Sequence, residues 1–296
     1  MMKSKSKLAL GTVQFGLDYG ISNTQGRTPE AEVRAILDYA FNHGVNMLDT
    51  APLYGNSEEV LGRNITENLI DIVTKTNIVT NDIVRNEDVE LLRSTFLKSL
   101  ELLKHEQAYG LMLHHVDDLF KPRGDALFKE MQRLRYQGLT RKIGVSVYTE
   151  EQIERVLGYY DIDIIQVPIN VFDQRLLHNG ILDTLKKRDI EIHARSAFLQ
   201  GLLLMKSQSL PEYFAPVRKM LADFHNYLAQ KCLTPVQGAL SFICGLPQID
   251  YVVCGVNSLS HWKELINSVD CAVDFREFAR FSVNDPSILN PSLWRL

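Results

Sequence analysis

Short, mostly apolar stretches alternate along the chain with longer stretches whose apolar residues recur at helical spacing. The apolar stretches occupy residues 7–16, 44–51, 70–76, 109–115, 141–148, 162–170, 190–198 and 250–256. They are mostly apolar rather than strictly alternating in polarity, as is typical of strands that are covered on both faces. The pattern therefore predicts eight buried β-strands.

Helix signals fill the stretches between the predicted strands. Thr28 followed by Pro29 predicts a helix with the threonine as its cap and the proline at its first position. Thr149 and Gln152 have the spacing of a capping box, in which each side chain bonds the backbone N–H of the other residue. Residues 234–244 open with the same spacing. Strands and helices are thus expected to alternate.

This alternation over 296 residues predicts an α/β fold, a (β/α)8 TIM barrel in a single domain that covers residues 1–296. A doubly wound parallel sheet is the alternative, although no GxGxxG sequence follows the first predicted strand. A barrel places its chemistry at the carboxyl ends of its strands. Polar residues at those ends are therefore the candidates for function.

The composition argues against several classes of protein. The formal net charge is −4 and no helix carries a basic stripe, so nucleic-acid binding is not expected. No apolar stretch has the length of a membrane span. The cysteines lack the paired spacing of a metal or redox motif, which predicts reduced thiols in a cytoplasmic protein. They are Cys232, Cys244, Cys254 and Cys271.

Four polar residues at neighbouring strand ends have complementary chemistry. They are Asp49, Tyr54, Lys75 and His114. A buried ammonium favours the ionised form of a nearby phenol and so makes the phenol a better proton donor. Asp49 can neutralise that ammonium, and a neutral histidine can donate a hydrogen bond to a substrate oxygen. The set suits proton delivery to a carbonyl oxygen, and the matching hydride has to come from a nicotinamide cofactor.

The motifs, taken in order, resemble the aldo-keto reductases over nearly the whole chain. "LGTVQFG" is similar to the family's first strand, "LDTAPLYGNSEEVLG" to its signature, and "VTKT" and "LMLHH" to its lysine and histidine strands. "IGVSVYT", "IIQVPIN" and "ARSAFLQGLLL" resemble the cofactor-binding strands, and "VVCGVNSLSHWKEL" resembles the last strand with its adenosine-binding helix. The resemblance implies NAD(P)H-dependent reduction of an aldehyde or ketone to an alcohol.

The resemblance also implies roles for individual residues. Asp49, Lys75 and His114 would assist Tyr54, the proton donor, as a catalytic tetrad. The positions that match the nicotinamide carboxamide site are Ser146 and Gln166. Those that match the loop over the pyrophosphate are Ser196, Phe198, Gln200 and Gly201. Those that match the adenosine end are Gly255, Asn257, Ser258, His261 and Glu264.

Departures from the family pattern concern the cofactor. Val147 replaces an asparagine that in many members contacts the carboxamide. Arg195 replaces an aromatic residue that stacks on the nicotinamide; we expect it to contact the cofactor, with an anionic substrate as the alternative partner. Gly255 and His261 stand where some members grip the 2′-phosphate with a lysine and an arginine. NADP (NADPH) is therefore only modestly favoured, with NAD as the alternative.

The loops constrain the substrate only loosely. Tyr19 and His115 are candidate substrate contacts, and such polar groups favour a small, polar or sugar-like carbonyl compound. No metal site is expected, because the adjacent His114 and His115 point to opposite faces of a strand. Two other functions are the alternatives: a barrel lyase or aldolase with Lys75 as a Schiff base, and a non-catalytic dinucleotide-binding regulatory subunit.

Overall fold

The strands of the computed structural model close into a parallel barrel. The structure describes residues 6–65, 70–269 and 273–295. Its strands are β1 (Leu8–Gly11), β2 (Met47–Asp49), β3 (Asp71–Lys75), β4 (Ala108–Leu113), β5 (Thr140–Ser146), β6 (Ile164–Pro168), β7 (Glu191–Arg195) and β8 (Tyr251–Gly255). They pair in chain order, and β1 pairs with β8 to close the ring. The (β/α)8 prediction is confirmed, and the doubly wound alternative is wrong.

Helices connect the strands and cover the outside of the barrel. The α-helices are α1 (Val13–Gly16), α2 (Glu30–Asn42), α3 (Ser57–Asn64), α4 (Asn86–Leu103), α5 (Asp125–Tyr136), α6 (Glu150–Tyr159), α7 (Ile181–Lys187), α8 (Arg218–Gln230), α9 (Pro235–Cys244), α10 (Leu259–Ser268) and α11 (Pro286–Leu289). Short 3-10 helices lie at Val116–Phe120, Arg175–Leu177, Leu199–Leu204, Ser207–Ser209, Glu212–Val217, Phe275–Phe281 and Pro291–Leu293. Within the described ranges, no helix has the length and apolar character that crossing a membrane requires.

Helix caps follow the sequence with one exception. Both predicted capping boxes form, at the starts of α6 and α9. The prediction that Thr28 caps α2 is wrong, since the helix begins one residue later and Pro29 occupies the cap position with an extended backbone. The hydroxyl of Thr28 instead donates to the carbonyl of Asn257 at 3.4 Å. A contact with the segment after β8 therefore replaces a local cap.

Inside the barrel, an apolar layer closes the floor below the carboxyl ends of the strands. It contains Ala9, Met47, Val73, Met112 and Ile164. Alternate residues of a strand point to the same face, so the next inward positions lie two residues further along. On β2, β3 and β6 and just beyond β4 these positions are Asp49, Lys75, Gln166 and His114. The strand register thus collects polar side chains from four strands above one apolar floor.

Candidate active site

A buried ion pair joins the ends of β2 and β3. Lys75 Nζ donates to Asp49 Oδ1 at 2.7 Å, and the two side chains are only 1% and 5% exposed. The same ammonium donates to the carbonyl of Thr50 at 3.1 Å. The second carboxylate oxygen of Asp49 accepts from Gln166 Nε2 at 2.7 Å. Both charges are therefore paired away from water, and the acid is fixed from two sides.

The tight loop after β2 brings Tyr54 to this ion pair. Its hydroxyl lies 3.4 Å from Lys75 Nζ, and that nitrogen lies 5.0 Å from the centroid of the tyrosine ring. The following residue, Gly55, has a φ of 60°, a left-handed conformation that favours glycine. A Cβ atom at Gly16 would overlap the backbone carbonyl of Tyr54. These two glycines let the loop pack closely enough to set the tyrosine in place.

Burial and the neighbouring Lys75 have opposite effects on the pKa of Tyr54. Burial raises the pKa of Tyr54, and the Lys75 ammonium opposes that rise without cancelling it. Burial also disfavours the charged form of Lys75, but Asp49 and Tyr54 outweigh this effect and raise the pKa of the lysine. The site therefore holds a protonated phenol beside a firmly protonated ammonium. That ammonium is in position to stabilise a phenolate.

His114 completes the group as a neutral imidazole. Its ring meets the ring of Tyr54 edge to face, with centroids 5.9 Å apart at 84°. Burial lowers the pKa of His114 to about 4, and the charge of Lys75 adds to the effect. Its Nδ1 is buried and has no hydrogen-bond partner among the described residues. At neutral pH this imidazole is uncharged, and it can still take part in hydrogen bonds.

These groups open into a cavity of about 750 Å³ at the carboxyl ends of the strands. The predicted site residues that line it are Tyr19, Asp49, Tyr54, His114, Ser146, Gln166, Arg195, Ser196, Phe198, Gln200, Gly201, Gly255, Asn257, His261 and Glu264. Three others do not line it. Lys75 is buried behind the wall, Ser258 caps α10, and His115 turns towards Asp118, with Nδ1 3.2 Å from Oδ1.

The loop after β7 bends around one wall of the cavity. Residues with positive φ in this loop are Ser196, Leu199, Gln200 and Gly201. Gln200 Nε2 donates to the hydroxyl of Tyr19 at 3.1 Å, and the Gln200 carbonyl accepts from the Ile21 N–H at 3.2 Å. The loop after β7 is thereby joined to the loop that follows α1. Together they cover part of the cavity.

The start of α10 forms another wall. His261 and Glu264 line the cavity here, and the His261 N–H donates to Ser258 Oγ at 3.3 Å. The N–H of Leu259 donates to the carboxylate of Glu32, which lies on α2, at 2.6 Å. In the described chain, no lysine or arginine lines this wall. The helix N-terminus, which favours negative charge, thus already binds an acidic side chain of the protein.

Arg195 reaches across the mouth of the barrel. Its Nη2 donates to the Val147 carbonyl at 3.0 Å, and its Nη1 lies 3.3 Å from Ser196 Oγ. The guanidinium carbon lies 4.1 Å from the centroid of the Tyr148 ring. Val147 and Tyr148 follow β5, and β6 lies between β5 and β7. The side chain of Arg195 therefore crosses the end of β6, above Gln166.

Three contributors to the site were missed in the sequence. Tyr148 lines the cavity and follows a predicted site strand, so its position next to that strand was the available signal. Gln14 also lines the cavity, and its buried Oε1 has no partner among the described residues. A carboxamide within the apolar stretch 7–16 was a detectable signal. Glu32 gave none, because its contact joins residues 227 positions apart.

The chain belongs to the aldo/keto reductase family, whose model matches residues 7–282. It is 25% identical over 220 residues to D-arabinose 1-dehydrogenase of Saccharomyces cerevisiae, a match that covers 67% of this chain and 63% of that protein. It is 26% identical over 282 residues to L-galactose dehydrogenase of Arabidopsis thaliana, covering 88% of this chain and 85% of that protein. The match thus spans less than two thirds of the yeast relative and most of the plant relative.

The fold also agrees with a solved structure. The holo form of an aldo-keto reductase from Bacillus halodurans superposes with a TM-score of 0.76 at 18% identity, covering 94% of this chain and 93% of that chain. At this identity the likeness concerns the fold alone. It agrees with the closed eight-stranded barrel described above.

Proposed function

We propose that this chain reduces an aldehyde or ketone to an alcohol with a nicotinamide dinucleotide, and that NADH is the preferred donor. The observation that carries the proposal is the position of Lys75 Nζ, 2.7 Å from Asp49 and 3.4 Å from the Tyr54 hydroxyl, beside the neutral ring of His114. Family membership supports the same function. The two sugar dehydrogenases among the relatives support a small polar substrate.

The cavity fits a nicotinamide dinucleotide. Its volume of about 750 Å³ is in the range of cofactor sites, which are concave and few in a protein. Gln166 uses its amide nitrogen on Asp49, which leaves its Oε1 as an acceptor beside Ser146 at the catalytic end. The buried Oε1 of Gln14 lacks a partner in the described chain. Ser146, Gln166 and Gln14 are therefore the side chains that we expect to hold polar groups of the cofactor.

The described side chains divide the reaction between them. The hydride for the carbonyl carbon would come from a reduced nicotinamide bound in the cavity. Tyr54 gives its hydroxyl proton to the carbonyl oxygen, and Lys75 stabilises the phenolate that remains. Asp49 fixes Lys75 in this position at 2.7 Å. Neutral His114 donates a hydrogen bond to the same oxygen as negative charge develops on it.

Electrostatics at α10 support NADH over NADPH. NADPH differs by a 2′-phosphate, which needs positively charged or N–H partners at the adenosine end. The N–H of Leu259 is already bound to Glu32, and Glu264 adds a second acid to the cavity wall. Among the described residues that line the cavity, the one arginine or lysine is Arg195, which crosses the mouth of the barrel. On this ground we propose NADH as the donor, where the sequence modestly favoured NADPH.

A Schiff-base role for Lys75 has less support. Such a lysine must lose its proton and reach the substrate. Here the amine has a raised pKa, donates to Asp49 and to the Thr50 carbonyl, and does not line the cavity. Borohydride trapping of an aldehyde on Lys75 would restore this alternative. The alternative of a non-catalytic dinucleotide-binding subunit is tested by turnover.

Fluorescence titration with NADH and NADPH, followed by a panel of small aldehydes, tests the proposal. We expect saturable binding of both dinucleotides, tighter binding of NADH, and aldehyde-dependent oxidation of the bound NADH. Binding without turnover of any aldehyde would favour the regulatory-subunit reading. The absence of binding to either dinucleotide would overturn the proposed function.

A further inference from the structure

Among the described residues, Arg195 has no carboxylate partner. Its contacts in the described chain are the Val147 carbonyl, the Ser196 hydroxyl and the face of Tyr148. Elsewhere a half-buried arginine has a full partner: Arg175 donates to both carboxylate oxygens of Asp173 at 2.8 Å. A guanidinium has five N–H donors, and Arg195 uses two of them in these contacts. Its remaining donors and its charge are available to a ligand.

The charges at the catalytic end of the cavity do not cancel. Lys75 and Asp49 neutralise each other at 2.7 Å, and the pKa of His114, lowered by burial to about 4, keeps that ring neutral. Burial also raises the pKa of Tyr19 and of Tyr54, which keeps both phenols neutral. Arg195 therefore leaves one net positive charge beside the proton donor.

We propose that Arg195 selects carbonyl substrates that carry an anionic group, either a phosphate or a carboxylate. The planar guanidinium has Tyr148 against one face and, in the described chain, keeps three of its five N–H donors for an oxygen acid. This inference rests on the proposed carbonyl reduction at Tyr54 and adds the class of substrate. It replaces the cofactor contact expected from the sequence.

The nicotinamide ring does not supply the missing negative charge. That ring is neutral when reduced and positively charged when oxidised, so a guanidinium beside it gains no ion pair in either state. Arg195 is tied across β6 to the Val147 carbonyl and the Tyr148 ring, next to the strand that carries Ser146. The pyrophosphate of the cofactor is expected at the loop that starts at Ser196, whereas the guanidinium extends across β6 to Val147 and Tyr148. An anion on the substrate is therefore the partner that we propose for it.

Paired substrates that differ in one anionic group provide the test. D-glyceraldehyde 3-phosphate is compared with D-glyceraldehyde, and succinic semialdehyde with butanal, in the wild type, Arg195→Met, Arg195→Gln and Arg195→Lys. Arg155→Met is the control, because Arg155 also lies on an aromatic ring, 3.7 Å above Phe120, but does not line the cavity. The first pair reports on phosphate and the second on carboxylate.

We expect kcat/KM of the wild type to be higher for at least one anionic member. Loss of a charge-assisted hydrogen bond should lower that kcat/KM about 10–100-fold in Arg195→Met and Arg195→Gln, mainly through KM. In the same two variants, kcat/KM for the neutral member of each pair should change less than about threefold. Arg195→Lys should recover part of the loss on the anionic member. Arg155→Met should match the wild type on both pairs.

Three results would overturn the inference. The first is a wild type that treats both members of each pair alike, and the second is a loss in Arg195→Met that is equal for both members. The third is a matching loss of dinucleotide affinity, which would make Arg195 a cofactor contact. If no aldehyde is reduced, the proposed function fails separately, and calorimetric binding of glycerol 3-phosphate and of 4-hydroxybutyrate decides instead. Tighter binding of at least one of these anions to the wild type than to Arg195→Met supports the inference, and equal binding of both overturns it.

Discussion

Gln166 Nε2 lies 2.7 Å from Asp49 Oδ2, and this bond ties β6 to β2 across the barrel. The other oxygen of the same carboxylate holds Lys75 at 2.7 Å. Gln166, which the family resemblance assigns to the cofactor, therefore also positions the carboxylate of Asp49. Substitution of Gln166 should therefore change both the stability of the fold and the binding of the dinucleotide.

Gln166→Leu should destabilise the fold and slow the reaction. Leucine leaves Asp49 Oδ2 buried without a donor, and an unsatisfied buried acceptor costs about 1–3 kcal/mol. Urea unfolding measures that loss, and dinucleotide titration measures the weakening at the cofactor site. Gln166→Glu is the informative companion, because a second carboxylate beside Asp49 should destabilise the fold more at pH 8 than at pH 5. Unchanged unfolding in both variants would contradict this role.

Lys75→Met should be strongly destabilising. The variant leaves Asp49, which is 3% exposed, without its positive partner, and breaking one side of a buried pair typically costs about 3–5 kcal/mol. Asp49→Asn in the same chain removes the stranded charge, so the double variant should be more stable than Lys75→Met alone. Chemical denaturation of the three variants measures this. A double variant that loses the sum of the two single losses would show that the pair is not coupled.

His114 should make stability depend on pH below neutrality. Its pKa in the folded protein, about 4, lies below the 6.5 of an unperturbed histidine. The unfolded chain therefore binds more protons between these values, and stability falls as the pH falls from about 6.5 to about 4. The shift corresponds to about 2–3 kcal/mol after allowance for partial exposure.

Unfolding of the wild type and His114→Asn at pH 7 and pH 4.5 measures this contribution, and the variant should lose less stability between the two. His115→Asn is the control of opposite sign. A hydrogen bond to Asp118 raises the pKa of His115, so its contribution is present below about 6.5 and is lost as the pH rises. A His114 ring that titrates near 6.5 by NMR would contradict the account.

Glu32 should set the preference between the two dinucleotides. Glu32→Gln keeps an acceptor for the Leu259 N–H but removes the charge at the start of α10. We expect NADPH affinity to rise about 2–10-fold with NADH affinity unchanged, as the strength of charge effects at helix ends suggests. Glu30→Gln is the matched control, since Glu30 is on the same helix but pairs with Arg63 at 3.0 Å. An unchanged NADH to NADPH ratio in Glu32→Gln would sink this assignment.

The barrel and the proximity of Asp49 to Lys75 could be predicted because their signals are local. Each buried strand lies in a short, mostly apolar stretch, and Asp49 and Lys75 are the last residues of their strands. A regular register then sets these ends side by side without further information.

Contacts between distant segments could not be predicted in this way. Thr28 does not cap α2, and its hydroxyl bonds the carbonyl of Asn257 instead. Glu32 bonds the start of α10 only because α2 packs against α10. The direction of Arg195 depends on the Val147 carbonyl and the Tyr148 ring, across an intervening strand. His115 was expected near the substrate, but in the structure it does not line the cavity. Side-chain direction at a strand end depends on tertiary packing, which a strand pattern does not record.

The central claim is that Tyr54 gives its proton to the carbonyl oxygen with Lys75 3.4 Å away. The most direct measurement is the single-turnover rate of NADH oxidation by a saturating aldehyde in wild type and Tyr54→Phe, with Tyr160→Phe as a control hydroxyl outside the cavity. Phenylalanine keeps the ring and removes the proton, so the rate should fall about 10²–10⁴-fold while NADH affinity stays nearly constant. A Tyr54→Phe rate close to that of the wild type would contradict the mechanism.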